Sequence, residues 1–437
     1  MTGLDLLRQL LRIDTTNPPG SEEDAAQALE ARLSSGGLKC EILRSPEGRA
    51  NLVARLEGPT DQPALVLLSH TDVVGVEPDR WSRDPFGAEI EDGFVWGRGA
   101  LDMKGIAVMH AEAACSLASS GAEPAREVVV CSVADEETGG SQGAQWLLAE
   151  RADAVGFGER RPAPEVLGEG AYGLSGVLNV PVMPVALGEK SSLWLDLRAE
   201  AEPGHASMPP SQQAALNLAR FLSATAGFGP PRLHPVMREQ FAALASATSG
   251  VQGAAFRALA SRAGGALVKA IAPQLRRRGP IGALLSDTIS LTILDAGYKH
   301  NVIPGEATAA LDCRLLPDTD PDDFLADLRR KAGRHGVDIS SRPPMRSPVS
   351  ERGPLWSSLV AASQALDPAC VVVPTISPAM TDVRFFRQRG ATGYGWVPMI
   401  ASRELLATIH GHDERVPVKD FERAVGLTAE VVRNAST

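Results

Sequence analysis

The chain has 437 residues, more than one hydrophobic core usually organises, so about two or three domains are expected at the usual ~100–200 residues each. Lys and Arg number 43 against 53 Asp and Glu, a net charge of −10, which argues against a nucleic-acid partner. The cysteines, Cys40, Cys115, Cys131, Cys313 and Cys370, are odd in number and scattered without a C-x-x-C pair, which excludes a disulfide framework and a thiolate metal site and fits a reducing, cytoplasmic compartment.

Leucines at helical spacing open the chain, without the charged, apolar and cleavage segments of a signal peptide. No run approaches the roughly 20 apolar residues of a membrane span. Ser21 and Asp24 read as a helix start, with Ala25, Leu29 and Leu33 following at helical spacing. Asn51 to Leu56, Ala64 to Leu68 and Val128 to Val133 read as buried strands. Gly105 to Ser119, stopped near Gly121, and Gln142 to Arg151 read as helices. This is the α/β pattern of a mainly parallel sheet flanked by helices, in which ligands collect at the carboxyl ends of strands.

A different pattern begins near Leu193: a strand, the stretch GHASMPP, a helix from about Gln213 to Thr225, and an Ala-rich segment from Met237 to Ile271 that is placed as helices. Strands at Thr288 to Leu294 and Ala307 to Leu315 follow, then a helix capped by Asp320 with Pro321 at its first position and a stop near Gly333. The run Arg276, Arg277 and Arg278 reads as a solvated helix end. Because the chemistry of the first half resumes at Thr381 and His410, the expected division is 1–190 and 344–437 as one catalytic domain, with 191–343 as an inserted α+β domain.

Five stretches carry that chemistry: LSHTDVV at 68–74, GRGALDMKG at 97–105, ADEETGG at 134–140, GEG at 168–170 and IHGHDER at 409–415. A hydrolytic site with two metal ions needs imidazole and carboxylate ligands, one ligand able to bridge, an open position for water, and a base beside that water. His70 and His410 supply nitrogen, Asp102 is the candidate bridge, Glu137 and Glu169 can complete one ion each, and Glu136 remains as general base. Asp72 can accept from the His70 imidazole and fix its tautomer. Taken singly, each has a plainer reading: a structural histidine, a turn or cap carboxylate, a solvated acidic loop.

Together, these stretches resemble the aminoacylase, acetylornithine deacetylase, succinyl-diaminopimelate desuccinylase and carboxypeptidase S family of zinc hydrolases, from LLRIDTTNPPG at 10–20 to HGHDERV near the C-terminus. The resemblance implies a zinc-peptidase-like fold with two zinc ions, cobalt or manganese being alternatives. It makes His70, Asp102 and Glu169 ligands of one ion and Asp102, Glu137 and His410 ligands of the other. It also implies that 191–343 is a lid and homodimerisation domain whose His205 polarises the scissile carbonyl, often in the partner's site. Asn301 and Arg314 resemble lid residues that hold a substrate carboxylate, and Thr381 with Arg384 the late substrate loop; a guanidinium suits a carboxylate on physical grounds.

The chain departs from the family pattern at Gly75, at Ala379-Met380 and at Asp413, and His412 is a competitor to His410. Met380 suggests an apolar pocket. PVMPVALGEKSS, PGHASMPP and SLTILDAGYKHNVIP look most like the carboxypeptidase S and N-fatty-acyl amino acid hydrolase branch. The implied substrate is a hydrophobic N-acyl amino acid, or alternatively a short peptide as for a dipeptidase or carboxypeptidase, with a free carboxylate. The rival class is a serine hydrolase using Ser141 in GGSQG, but that serine lies eight residues beyond Val133, too far for a strand-to-helix elbow. A dinucleotide site at Gly97 and Gly99 fails because Asp102 replaces the third glycine.

Overall fold

The computed structural model describes residues 1–176, 178–277 and 279–437. The chain divides into two compact units: Met1–Gly188 with Val349–Thr375 and Thr381–Thr437, and Glu189–Pro348 with Ile376–Met380.

The first unit is built on a sheet whose strands lie in the order Lys39–Arg44, Ala50–Leu56, Val128–Val133, Leu65–His70, Glu165–Leu174, Thr392–Ala401, Val182–Glu189 and Val371–Ser377. The four strands from Val128–Val133 to Thr392–Ala401 run parallel, and antiparallel pairs extend the sheet on either side. Side chains alternate across it, so continuous apolar runs are buried on both faces. Leu65, Leu67, Val128 and Val130 join the core beneath the helices Gly3–Leu11, Glu23–Ser35, Lys104–Ser119, Leu355–Leu366 and Val418–Ser436. Val66, Leu68, Val129 and Cys131 face the opposite core with Leu147 and Phe386. Each fully buried Leu or Val stabilises the fold by about 1.5–3 kcal/mol relative to exposure, as an upper estimate.

Two expected boundaries moved for local reasons. The second helix starts at Glu23 without a Ser21 cap, because Glu22 occupies the cap position and gives its carboxylate to Arg49. The helix expected from Gln142 begins at Ala144, since the Gln142 amide is already donated to the Asp135 carboxylate.

The second unit is an antiparallel sheet in the order Gly227–Phe228, Thr288–Ala296, Glu306–Leu315, Ser191–Glu200 and Val337–Ser341. Alternation is strict in Ser191–Glu200: Leu193, Leu195, Leu197 and Ala199 are buried against the helices Ala214–Thr225 and Pro321–Gly333, while Trp194, Asp196 and Arg198 face out. Asp320 caps its helix by accepting from the amides of Asp322 and Asp323. The Ala-rich segment forms the helices Pro235–Ala247, Gly250–Ala260 and Gly264–Ala270. Of the arginine run, Arg276 and Arg277 are exposed at the end of Ala272–Arg276, and Arg278 lies outside the described residues.

Candidate active site

His70 is the last residue of its strand and is 1 % exposed. Its Nδ1 lies 2.9 Å from the backbone carbonyl of Asp72, which makes Nδ1 the donor and leaves Nε2 with a lone pair. Nε2 sits 3.2 Å from Asp102 Oδ1 and 3.7 Å from Glu169 Oε1. The other Asp102 oxygen is 3.1 Å from His410 Nε2, and that nitrogen is 3.3 Å from Glu137 Oε1. One aspartate thus presents one oxygen to each imidazole. The ligand atoms of His70, Asp102 and Glu169, and those of Asp102, Glu137 and His410, each fall within 4.8 Å of one another.

Asp72 meets the imidazole through two groups and has a second role besides. The imidazole is fixed by its carbonyl, while Oδ1 stands 3.5 Å from Nδ1. The carboxylate also accepts the amides of Glu136 at 3.2 Å and Glu137 at 3.1 Å, and the Asn17 side chain at 2.8 Å. That anchors the short turn Glu136–Thr138, entered through Asp135 in the left-handed region at φ 68°. Strain of this kind persists where surroundings over-determine it. Here Asp135 accepts from Ser141, Gln142 and Thr138. The Ser141 hydroxyl is therefore tied to a carboxylate at 3.0 Å, which is no activating base in a serine mechanism.

His410 is half exposed and also lies at positive φ, 58°. His412 points elsewhere, 2.8 Å from Glu77. Sequence reasoning missed what ties the His410 loop to Asp102. Glu414, fully buried, accepts the amides of Gly99 at 3.1 Å, Leu101 at 2.8 Å and Asp102 at 3.0 Å, and pairs with Arg98 at 2.6 Å. Arg98 in turn donates to the Gly411 carbonyl at 2.7 Å. Asn17 was legible only as part of TTNPPG; its carboxamide also reaches Thr138 at 3.1 Å.

Glu136, His70, Met103, Glu169, Thr381 and Asp382 line one cavity. Burial pushes both Glu136 and Glu169 well above the usual carboxylate range, and neighbouring carboxylates add to it. Asp382 is also raised by burial, to about 7, with Arg384 opposing; neither of its oxygens has a hydrogen-bond partner. Burial works to raise Asp102, but the imidazoles of His410 and His70 beside it hold its carboxyl below the usual range. His410 is pushed up to about 10, by Asp102 first and then Glu137. Four carboxylates surround two imidazoles, and among the described residues the buried Glu137 Oε1 makes no well-formed hydrogen bond, its nearest polar neighbour being His410 Nε2 at 3.3 Å. These residues fit a pair of divalent cations, which would supply that oxygen with a partner.

The remaining expected residues fall into separate groups. The guanidinium of Arg384 donates to the carbonyls of Thr381 and Gly139, both at 2.8 Å, and so binds two loops of the first unit together. In the second unit His205 pairs with Val302 across a short ladder, next to Asn301, whose carbonyl accepts the Ala206 amide at 3.2 Å. The His205 Nδ1 contacts the Ser207 hydroxyl at 2.7 Å. Arg314 is paired with Asp312 at 2.8 and 2.9 Å, so a substrate carboxylate at this arginine would have to displace Asp312.

Two candidate ligand triads that meet at one aspartate suit a metal-dependent hydrolase. The chain belongs to Peptidase family M20/M25/M40, whose model matches residues 66–434. It is 30% identical to aminoacylase-1 of Sus scrofa over 98% of this chain and 93% of that protein. It is 29% identical to an N-fatty-acyl-amino acid synthase/hydrolase of Mus musculus over 87% of this chain and 75% of the relative. Among solved structures, an M20 family metallo-carboxypeptidase from Sulfolobus solfataricus superposes with a TM-score of 0.75 at 19% identity, covering 100% of this chain and 99% of that one.

Proposed function

We propose that the enzyme hydrolyses the amide bond of N-acyl amino acids carrying a hydrophobic acyl group, using two zinc ions. The observation that carries this reading is Glu136: a half-buried carboxylate at the wall shared with His70 and Glu169, outside both candidate ligand triads. His70, Asp102 and Glu169 would hold one ion, and Asp102, Glu137 and His410 the other. When bound, such ions acidify a water and polarise a carbonyl; oxygen and imidazole donors accept cobalt or manganese as well. Glu136 takes the proton of the attacking water and delivers it to the amide nitrogen as the C–N bond breaks. The Asp72 carboxylate holds the Glu136 amide, and its carbonyl holds His70 in the ligating tautomer. The names of the aminoacylase and N-fatty-acyl relatives support the acyl substrate, and Met380 supports an apolar pocket.

A panel of long-chain N-acyl amino acids, their carboxyl amides and dipeptides tests the substrate class. The free N-acyl acids should give the highest kcat/KM, and amidation should lower it roughly 10–100-fold through the lost charge-assisted contact. Dipeptides turned over best would favour the peptidase reading, and amides as good as acids would remove the carboxylate-binding role of Arg314.

The enzyme is further proposed to be a homodimer through 191–343, with His205 polarising the scissile carbonyl in the partner's site. Support comes from the strand Thr288–Ala296: the pairing on its outer side reaches only Thr288 and Ile289, and Leu291, Ile293 and Leu294 are exposed, up to 63%. Mixing inactive His205→Ala and Glu136→Ala proteins should restore part of the activity, since one site of the heterodimer is then intact; no recovery would place a complete site in each subunit. A cytoplasmic location is supported by the five free cysteines, and among the described residues no helix is long and apolar enough to cross a membrane.

A further inference from the structure

The charge of this chain is unevenly distributed. Residues 235–286 carry seven cationic residues against one acid, Glu239, in a protein whose net charge is −10. The cations fall on a set of short helices in the second unit, Gly250–Ala260, Gly264–Ala270 and Ala272–Arg276. Arg257, Arg262, Lys269, Arg276 and Arg277 are all exposed. Among the described residues, none of the five has a carboxylate partner, in contrast to Arg198, Arg232 and Arg346 of the same unit. Lys269 ends one of these short helices and Arg276 the next, the two being separated at Ile271.

What lies between the cations selects the partner. Proteins that track nucleic acid interleave cations with aromatic side chains and hydrogen-bonding amides. From 250 to 277 the only aromatic residue is Phe256, which is stacked on Phe241, so no ring is free to stack on a base, and the side-chain amides are Gln252 and Gln274 alone. Most of the other exposed residues are small or apolar, Ala254, Ala255, Ala258, Ala266 and Ala270 with Val251 at 89%, and Gln252, Ser261 and Gln274 are the polar ones among them. Cations on short helices with an apolar, small-residue filling are the composition of a surface that lies on a lipid interface, where each Lys or Arg near an anionic leaflet strengthens adsorption roughly fivefold.

We propose that the helical segment 250–277 is a docking surface for an anionic phospholipid membrane, on which the enzyme adsorbs peripherally. The five exposed cations meet the lipid headgroups, and Val251 with the alanines meets the interfacial zone.

Sedimentation of the full-length enzyme with vesicles tests this. Vesicles of phosphatidylcholine mixed with phosphatidylglycerol should bind at least about tenfold more protein than phosphatidylcholine alone, and the difference should shrink as salt is raised. The five-fold charge-reversed variant, Arg257, Arg262, Lys269, Arg276 and Arg277→Glu, should lose that preference while its melting temperature and its turnover of a soluble substrate stay unchanged. A Val251→Ser variant should bind the anionic vesicles more weakly without changing the salt dependence. Equal binding to both vesicle types, or undiminished anionic binding by the charge-reversed variant, overturns the proposal. So does binding of single-stranded DNA or polyglutamate in preference to vesicles, which would make the partner a soluble polyanion. Adsorption is read without turnover, so its outcome is independent of the substrate reading.

Discussion

Glu136→Gln should leave both ions bound and lower kcat by roughly 10²–10⁴-fold, with KM changed little, because the substitution removes a proton acceptor and preserves shape. The side chain sits in the turn Glu136–Thr138, and its amide remains held by Asp72 in the variant, so the site should stay assembled. Steady-state kinetics paired with metal analysis of the same preparation reads both halves. A kcat within a few-fold of the parent enzyme would remove Glu136 from the proton path. Loss of metal from the variant would instead make Glu136 a ligand.

The second large effect is expected at Glu414, four residues beyond His410. Its carboxylate accepts three consecutive-region amides, those of Gly99, Leu101 and Asp102, and neutralises the buried Arg98. Glu414→Ala leaves Arg98, 2 % exposed, without its counter-charge, which costs about 3–5 kcal/mol of stability. It also frees the loop that carries Asp102, so affinity for the ions should fall roughly 10–100-fold, the usual effect of losing a group that orients a ligand. Thermal denaturation with and without added metal, together with competition against a chromophoric chelator, separates the two losses. Unaltered metal affinity in a folded Glu414→Ala protein would reduce Glu414 to a purely structural ion pair. Glu414→Gln, which keeps the volume and can still accept from amides, should fall between the parent and the alanine variant on both measures.

These two residues show what is legible in a sequence and what is not. His70, Asp102, Glu137, Glu169 and His410 could be named because each is a polar residue placed where an apolar run ends or a loop turns, and the structure gathers their ligand atoms into two triads, each within 4.8 Å. The fold class was legible for the same reason: Leu65–His70 and Val128–Val133 are continuous apolar runs of strand length. Glu414 was visible only as part of IHGHDER, and its role was not, because most of its partners are backbone amides, which nearly every residue type offers. Asp72 was half legible, since its spacing from His70 is readable but the choice of carbonyl over carboxylate is set by the turn of the chain.

The strands hardest to read were Glu165–Leu174 and Thr392–Ala401. Both carry glycines that break the apolar alternation, and packing explains at least one of them: a Cβ at Gly395 would lie 2.5 Å from the Glu169 carbonyl oxygen. The same close approach is what brings the strand carrying Glu169 up to its neighbour, so the residue that hides the strand from a periodicity argument is also one that shapes the site. Arg384 is a parallel case. A guanidinium in a late loop reads naturally as an anion clamp, whereas here it joins the carbonyls of Thr381 and Gly139, behind the turn that bears Glu136.

The central claim is that Asp102 is shared by two divalent cations held by His70 and Glu169 on one side and by Glu137 and His410 on the other. Metal analysis of protein purified without exposure to chelators tests it most directly. The expected content is about two zinc, cobalt or manganese ions per chain, falling to about one when His410 is replaced by Ala, with hydrolysis lost on chelation and restored by added metal. Full hydrolytic activity in preparations with no stoichiometric transition metal would contradict it.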